Sequence, residues 1–285
     1  MRNRLLMFIF FAASLSKAQV GSGTIVVLDF SKDKLAIAAD SRVTFDDRPP
    51  EDSFCKIEVF RHRIAFTEMG AIGFRRGPSD PLPGWSNSAL ARRSVRAEAN
   101  PNKDPDAEIK DIASIWANTL ATYWRSAYQS DRDAVDRVIA NSHNGPITGA
   151  VFAETRNGAI HWRFVAVNFF PEMNPPIQAI TGEMHHCWPC GQGEKVCAMA
   201  RPAIPEEFCT QNTPRAKDEA AHWTPSPESA DKVDREALHA IRLVDLTIAF
   251  DPIKGLGGPI DVLELHNDGA INWVTRKQTC PDNED

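Results

Sequence analysis

Apolar and polar residues follow one another in blocks that predict strands paired by short turns. The β-branched run from Thr24 to Phe30 is followed by a polar turn and by Leu35 to Ala39, which predicts a first hairpin. Lys56 to Phe60 and Ile64 to Met69 flank a basic turn, and they predict a second hairpin that ends at Gly70. The first part of the chain is therefore expected to form antiparallel strands.

Later blocks predict two helices that alternate with two more hairpins. Apolar side chains recur at helical spacing after Asp106, and Asn157-Gly158 is a strong turn signal between two apolar runs. The predicted elements are a helix of about 20 residues after Asp106, a hairpin over 147–155 and 159–167, a helix over 238–248 that ends near Asp251, and a hairpin over 260–266 and 270–274.

The order of these elements favours one fold class. Strands joined by short turns are antiparallel, and helices that arrive in separate blocks must cover the faces of the sheets. We therefore predict an α+β fold rather than a doubly wound parallel sheet. Two stretches rich in proline or cysteine, about 75–106 and 185–234, are expected to be insertions in the domain, and 75–106 is expected to be a long loop outside the core.

Composition narrows the class of protein. The chain has 285 residues, of which 42% are hydrophobic, and this content excludes disorder for most of its length. The formal net charge is -6, and no long run of lysine or arginine is present. Nucleic acid is therefore not an expected partner, because non-specific binding to phosphates needs a basic surface.

The N-terminus has the pattern of a secretory signal peptide. Arg2 and Arg4 precede an apolar stretch from Leu5 to Ala13, and Ser16-Lys17-Ala18 supplies small residues for cleavage. A membrane anchor is the alternative, but the stretch is shorter than the roughly 20 residues of a span. We predict that residues 1–18 are removed, that the protein has no stable membrane span, and that it is secreted or periplasmic.

Six cysteines are compatible with an exported protein. They are Cys55, Cys187, Cys190, Cys197, Cys209 and Cys280. The secretory context favours a disulfide-stapled loop for the four between 187 and 209, and their pairing is left open. A zinc site and a thioredoxin-like redox pair are the alternatives, although the second pair lacks the usual zinc spacing and no βαβ unit surrounds Cys187.

Three polar residues stand at the edges of apolar strands. Thr24, Asp40 and Lys56 follow one another at intervals of sixteen residues, and strand ends of this kind converge when the strands lie side by side. A hydroxyl becomes a nucleophile when a base is near, and the free amine of an N-terminal threonine can be that base. An adjacent ammonium favours the neutral amine and the deprotonated hydroxyl.

The sequence around these residues resembles the β-type subunits of the proteasome, which are N-terminal nucleophile (Ntn) hydrolases. The resemblance is carried by Gly23-Thr24-Ile25-Val26-Val27, by 38–44 with Asp40, by Cys55-Lys56-Ile57 and by Gly70. It implies a four-layer αββα sandwich of two antiparallel sheets flanked by helices. It also implies that Thr24 is the nucleophile, that Asp40 and Lys56 assist it, that the Gly70 N–H stabilises the oxyanion, and that Asp251 supports the amine.

The resemblance further implies how the protein works. Residues 19–23 would be a short propeptide, and autocatalytic cleavage between Gly23 and Thr24 would expose the amine. The protein would be an exported threonine-type hydrolase that cleaves a peptide or small amide through an acyl-enzyme, with neither a cofactor nor a metal. A homo-oligomer is left open, whereas the signal peptide and the insertions argue against ring assembly.

Three alternatives are kept open at this point. A catalytically inactive Ntn-fold protein could serve in binding or scaffolding. An alignment shifted by one residue would place Gly23 at the nucleophile position and give the same inactive outcome. A thiol-disulfide protein would instead use a reducible bond between Cys187 and Cys190.

Overall fold

The computed structural model describes residues 19–45, 48–75, 84–142, 145–182, 184, 186–190, 194–200, 202–222, 233–250 and 255–280. Within these residues the chain forms two antiparallel sheets and six helices, so the predicted α+β class is confirmed. The predicted signal peptide, residues 1–18, lies outside the described residues.

The larger sheet has eight strands. They are β1 (Gln19–Ser22), β4 (Thr44–Phe45), β5 (Ile57–Phe60), β6 (Ile64–Arg75), β7 (Trp85–Ser86), β8 (Thr148–Arg156), β9 (Ala159–Phe169) and β10 (Ile177–Gly182). The order is β10-β9-β8-β6-β1-β4, and β5 and β7 also pair with β6. The long strand β6 therefore connects the second and third predicted hairpins.

The smaller sheet has six strands. They are β2 (Val26–Phe30), β3 (Lys34–Ala39), β11 (Cys187–Cys190), β12 (Glu194–Met199), β13 (Asp261–His266) and β14 (Ile271–Thr275). The order is β11-β12-β2-β3-β13-β14, and every pair is antiparallel. The first and last predicted hairpins thus lie side by side in this sheet.

Six helices cover the sheets. They are α1 (Asn87–Glu98), α2 (Pro105–Ser130), α3 (Arg132–Asn141), α4 (Ala203–Thr210), α5 (Pro214–His222) and α6 (Arg235–Phe250). Helix α2 begins where Asp104 accepts a hydrogen bond from the Ala107 N–H at 3.0 Å, with a proline in its first turn. Its buried apolar stripe contains Ile112, Trp116 and Leu120 at the spacing that the sequence predicts.

Three hydrophobic clusters hold these elements together. One joins α1, α2 and α3 to the larger sheet, and a second joins α4, α5 and α6 to the smaller sheet. The third contains residues of both sheets. Strand β2 carries apolar residues on both faces, with Asp29 as its one charged residue. Val27 belongs to the second cluster, whereas Val26 and Leu28 on the opposite face belong to the third.

The prediction that 75–106 is a loop outside the core is wrong. Helix α1 lies in this range, and Leu90, Ala91 and Val95 are buried in the first cluster. Only one narrow face of α1 is apolar, so the prolines and charges around it dominate the sequence pattern. The region 185–234, which is predicted to be an insertion, contains β11, β12, α4 and α5 as regular elements of the smaller sheet and its helical cover.

All six cysteines are paired in disulfides. The pairs are Cys55–Cys280, Cys187–Cys197 and Cys190–Cys209. The disulfide interpretation of the cysteine-rich region is therefore supported, and Cys187 and Cys190 have different partners rather than each other. None of the helices in the described ranges is both long and apolar enough to cross a membrane.

Candidate active site

The three polar strand ends come together, as their spacing predicts. Strands β2 and β3 are antiparallel with Val26 opposite Ala39, so Thr24 before β2 lies beside Asp40 after β3. Lys56 precedes β5 in the other sheet and reaches the same place. The three residues are at most 2% exposed.

The Lys56 ammonium is the centre of this cluster. Its Nζ donates to Asp40 Oδ1 at 2.7 Å, to the Arg42 carbonyl at 2.6 Å and to the Gly23 carbonyl at 2.8 Å. An ammonium has three protons, so these acceptors satisfy all of them. The position and direction of Nζ are thereby fixed.

The Asp40 carboxylate connects three segments of the chain. Oδ1 accepts from the Ile25 N–H at 3.0 Å as well as from Lys56, and Oδ2 accepts from the Gly257 N–H at 2.9 Å. The Gly257 carbonyl in turn accepts from the backbone N–H groups of Ser41 and Arg42. Asp40 therefore attaches the loop around Gly257 to the start of β2.

The carbonyl of Gly23 receives two side-chain donors. The Thr24 hydroxyl donates to it, and Lys56 Nζ lies 2.8 Å from the same oxygen. Gly23 has φ of +110°, and a Cβ there would lie 3.0 Å from the Gly255 carbonyl oxygen. The backbone at this bond thus requires glycine.

The segment that precedes Thr24 is a strand of the larger sheet. In β1, Gly21 pairs with Phe45 of β4, and Ser22 pairs with Thr44 of β4 and Ala71 of β6. In this form of the protein the Thr24 nitrogen is part of a peptide bond, and no free amine is present at the site. Sequence reasoning assigned this segment to a propeptide and did not foresee that it is paired on both sides.

Gly70 lies in β6 next to the position where β1 ends. Because Ser22 pairs with Ala71 and the strands are antiparallel, Gly70 faces the continuation of β1 toward Gly23. Its φ is +78°, and a Cβ would lie 2.5 Å from the Ile147 carbonyl oxygen, so no larger residue fits. Asp251, the fifth predicted site residue, lies outside the described residues.

Burial changes the proton affinity of two side chains here. It lowers the pKa of Lys56 from 10.5 to about 8, against the opposing effect of Asp40. It raises the pKa of Glu68 in β6 from 4.5 to about 8, and the nearby Glu58 adds to this shift while Asn87 and Lys56 oppose it. Both groups therefore change charge near pH 8.

The structure adds residues that the sequence did not indicate. Lys277 donates to Ser41 Oγ at 2.5 Å and forms a buried ion pair with Asp261, next to the Asp40 loop. The Cys55–Cys280 disulfide ties this C-terminal segment to the residue before Lys56. Pairing of β13 with both β3 and β14 also brings Lys277 to this place, although it is far from Asp40 in the sequence.

Comparison with models of protein families gave no match, and comparison with curated protein sequences gave none either.

Proposed function

We propose that the protein is a threonine-type hydrolase of the Ntn class that activates itself by cleaving the bond between Gly23 and Thr24. One observation carries the proposal: the Gly23 carbonyl oxygen accepts from both the Thr24 hydroxyl and Lys56 Nζ, the latter at 2.8 Å. The nucleophile, the carbonyl that it would attack and a positive charge are thus in contact in one buried place.

The cleavage can be written with these groups and one water molecule. Thr24 Oγ bonds to the Gly23 carbonyl carbon, and the negative charge that develops on the carbonyl oxygen is stabilised by Lys56 Nζ. The C–N bond then breaks as the nitrogen takes the hydroxyl proton, which leaves an ester between Gly23 and Thr24 Oγ. Water then hydrolyses the ester to a Gly23 carboxylate and a free Thr24 hydroxyl, and Thr24 keeps the N-terminal amine that the previous step released.

The same groups would then act on an external substrate. The Thr24 amine becomes the base for its own hydroxyl, Lys56 supplies positive charge, and Asp40 orients Lys56. The Gly70 N–H is proposed to stabilise the oxyanion of the acyl-transfer step. Departure of 19–23 would uncover edges of β4 and β6, and free strand edges accept an extended peptide. This supports a peptide as the substrate class.

The arrangement of the clusters supports the implied four-layer sandwich. One hydrophobic cluster lies between helices and the larger sheet, one between helices and the smaller sheet, and one contains residues of both sheets. Helices outside two facing sheets would produce these three clusters.

Intact mass and N-terminal sequencing of the secreted full chain test the proposal. We expect the wild-type protein to begin at Thr24. The Thr24→Val variant, which keeps the branched shape but loses the hydroxyl, is expected to retain 19–23. The matched Thr24→Ser variant keeps a hydroxyl and is expected to be cleaved, so it separates loss of the nucleophile from a change of shape.

Two results would contradict self-cleavage. A wild-type chain that begins at Gln19 would favour the inactive alternative, in which this fold serves in binding or scaffolding. That alternative is favoured by one observation, the pairing of β1 with strands on both sides. A Thr24→Val chain that still begins at residue 24 would show that another protease removes the segment.

A further inference from the structure

A second polar cluster, with a partly exposed histidine and otherwise buried residues, lies on the helix-covered side of the smaller sheet, away from Lys56. It combines Asp29 of β2, Cys190 of β11, Cys209 of α4 and His239 of α6. Asp29 is fully buried, and both cysteines are at most 9% exposed. Cys190 and Cys209 form a disulfide, so the cluster contains two sulfur atoms, one imidazole and one carboxylate.

The imidazole is oriented by the carboxylate. His239 Nδ1 lies 2.6 Å from Asp29 Oδ2, and an ionised carboxylate only accepts hydrogen bonds, so Nδ1 of a neutral imidazole carries the proton. Nε2 then presents its lone pair to Cys190 Sγ at 3.4 Å. A sulfur in a disulfide has no proton to donate. In the neutral state of His239, two electron-pair donors therefore face each other, an arrangement that suits a cation between them.

The separations fit a tetrahedral metal ion. The sulfur and nitrogen atoms of Cys190, Cys209 and His239 all lie within 4.8 Å of one another. With metal–sulfur bonds of about 2.3 Å and metal–nitrogen bonds of about 2.0 Å, tetrahedral sulfur and nitrogen ligands are about 3.5 Å apart. The observed 3.4 Å between Cys190 Sγ and His239 Nε2 matches this value. The two sulfurs must separate from their bonded distance, and they can do so when their bond is reduced.

A carboxylate behind a histidine ligand is typical of zinc sites. The carboxylate holds the ring in place, fixes the proton on the distal nitrogen and increases the electron donation of the other nitrogen. Asp29 Oδ2 has this position, and Asp29 Oδ1 is buried with no hydrogen-bond partner among the described residues. Neither of the other two cysteine pairs belongs to such a ligand group within the described ranges.

We propose that reduction of the Cys190–Cys209 disulfide turns this cluster into a site for a soft divalent transition metal, with Zn²⁺ as the best fit. Cys190 Sγ, Cys209 Sγ and His239 Nε2 are the protein ligands, Asp29 is a positioning residue, and solvent takes the fourth position. The site does not depend on cleavage at Thr24.

The redox step is balanced by a dithiol reductant. The reductant becomes a cyclic disulfide and delivers two electrons and two protons to the Cys190–Cys209 bond, which becomes two thiols. The metal ion then displaces both thiol protons and binds two thiolates, so its two charges are neutralised. The oxidised and metal-bound forms are therefore mutually exclusive states of the same two cysteines.

Cobalt absorption tests the proposal on the full chain. The protein is reduced with a dithiol under nitrogen, freed of reductant and titrated with Co²⁺. We expect thiolate-to-cobalt charge transfer and the visible bands of a tetrahedral ion, saturating at one ion per chain and bleached by Zn²⁺. The oxidised protein is expected to give no such bands.

Variants assign the ligands. Cys190→Ser and His239→Ala are expected to abolish the tetrahedral spectrum, and Asp29→Asn to weaken Co²⁺ binding roughly 10- to 100-fold. The matched control, Cys187→Ser combined with Cys197→Ser, removes the neighbouring disulfide and is expected to leave the titration unchanged. Circular dichroism establishes that each variant is folded.

Three results would overturn the proposal. The first is a reduced wild-type chain without the cobalt spectrum, a result that needs no variant to fold. The second is a spectrum that persists in folded Cys190→Ser or His239→Ala. The third is a spectrum that is lost in the control variant, which would assign the ion to Cys187 and Cys197 instead.

Discussion

Two buried ionic clusters in this protein use opposite designs. At the candidate active site a single lysine, Lys56, faces a single carboxylate, Asp40, and both side chains are fully buried. On the larger sheet, Arg63 and Arg156 each form ion pairs with two buried glutamates, Glu108 of helix α2 and Glu154 of strand β8. These ion pairs connect α2 to the sheet. Both arginine side chains are partly exposed, at 21% and 14%.

The difference shows which cluster can change its charge. Arginine stays protonated at all working pH values and binds carboxylates through several hydrogen bonds. The positive charges of the second cluster therefore do not change with pH, and its ion pairs serve to hold α2 against the larger sheet. There, burial raises the pKa of Glu108, but the hydrogen bond and charge of Arg63, the Asn100 N–H and the charge of Arg156 together lower it below its usual value. Burial prevails at Glu154, whose pKa is raised. At the first cluster, burial brings the pKa of Lys56 down to about 8. A lysine in this state can respond to a developing charge, which suits a site of chemistry.

The largest expected effect comes from removing Lys56. The Lys56→Met variant leaves Asp40 buried without its cation, and breaking a buried pair in this way costs about 3–5 kcal/mol of unfolding free energy. It also removes the charge beside the Gly23 carbonyl, so we expect the chain to retain 19–23. Denaturant unfolding and intact mass measure the two effects.

Arg63→Met is the matched change in the other cluster. Arg156 still pairs with Glu108 and Glu154 in this variant, so we expect a loss of only about 1–3 kcal/mol and normal cleavage at Gly23. Equal losses of stability in the two variants, or cleavage in a folded Lys56→Met chain, would refute the distinction between the clusters.

Much of the fold could be predicted because its signals are local. The hairpin with Asn157-Gly158 has the predicted turn, and α2 has the predicted apolar stripe. Several elements, β1 and α1 among them, escaped prediction because their signals are weak. Strand β1 is only four residues long, and α1 buries a narrow face between prolines and charges. Tertiary packing, not local preference, decides the structure of such segments.

The site could be predicted only where side chains stand at strand ends. The sequence indicates Thr24, Asp40 and Lys56 because each is a polar residue next to an apolar run. In the structure these three residues lie close together. The Gly23 carbonyl is an acceptor at the site because the backbone points its oxygen toward Lys56. The identity of a residue does not tell where its carbonyl oxygen points. Lys277 reaches the site through the packing of the C-terminal segment. Contacts of this kind follow from the assembled fold.

Replacing Glu68 shows how much of the pH dependence of stability comes from the titration of Glu68 rather than from that of Lys56. The folded protein keeps the Glu68 proton up to about pH 8, whereas the unfolded chain releases it near 4.5, so this group makes the wild type less stable as pH rises between these values. We expect Glu68→Gln to remove up to about 1.4 kcal/mol of that loss per pH unit. Urea unfolding at several pH values measures it, with pH 4 as the internal control because the carboxyl is mostly protonated there in both states. Parallel curves for the two proteins would contradict a buried titration of Glu68.

The smallest effect that we predict is the response of self-cleavage to pH just above neutrality. Lys56 loses its proton with a pKa of about 8, so the charge that stabilises the Gly23 oxyanion is half lost near that pH and falls about tenfold for each further unit. When full-length chain is released from denaturant into buffers between pH 6 and 10, the cleavage rate from intact mass should be level up to about pH 7 and then decline. Tryptophan fluorescence of the uncleaved Thr24→Val chain gives the folding rate under each condition and shows whether folding limits the result. A cleavage rate that keeps rising through pH 9 would mean that hydroxyl deprotonation, and not the charge of Lys56, controls the reaction.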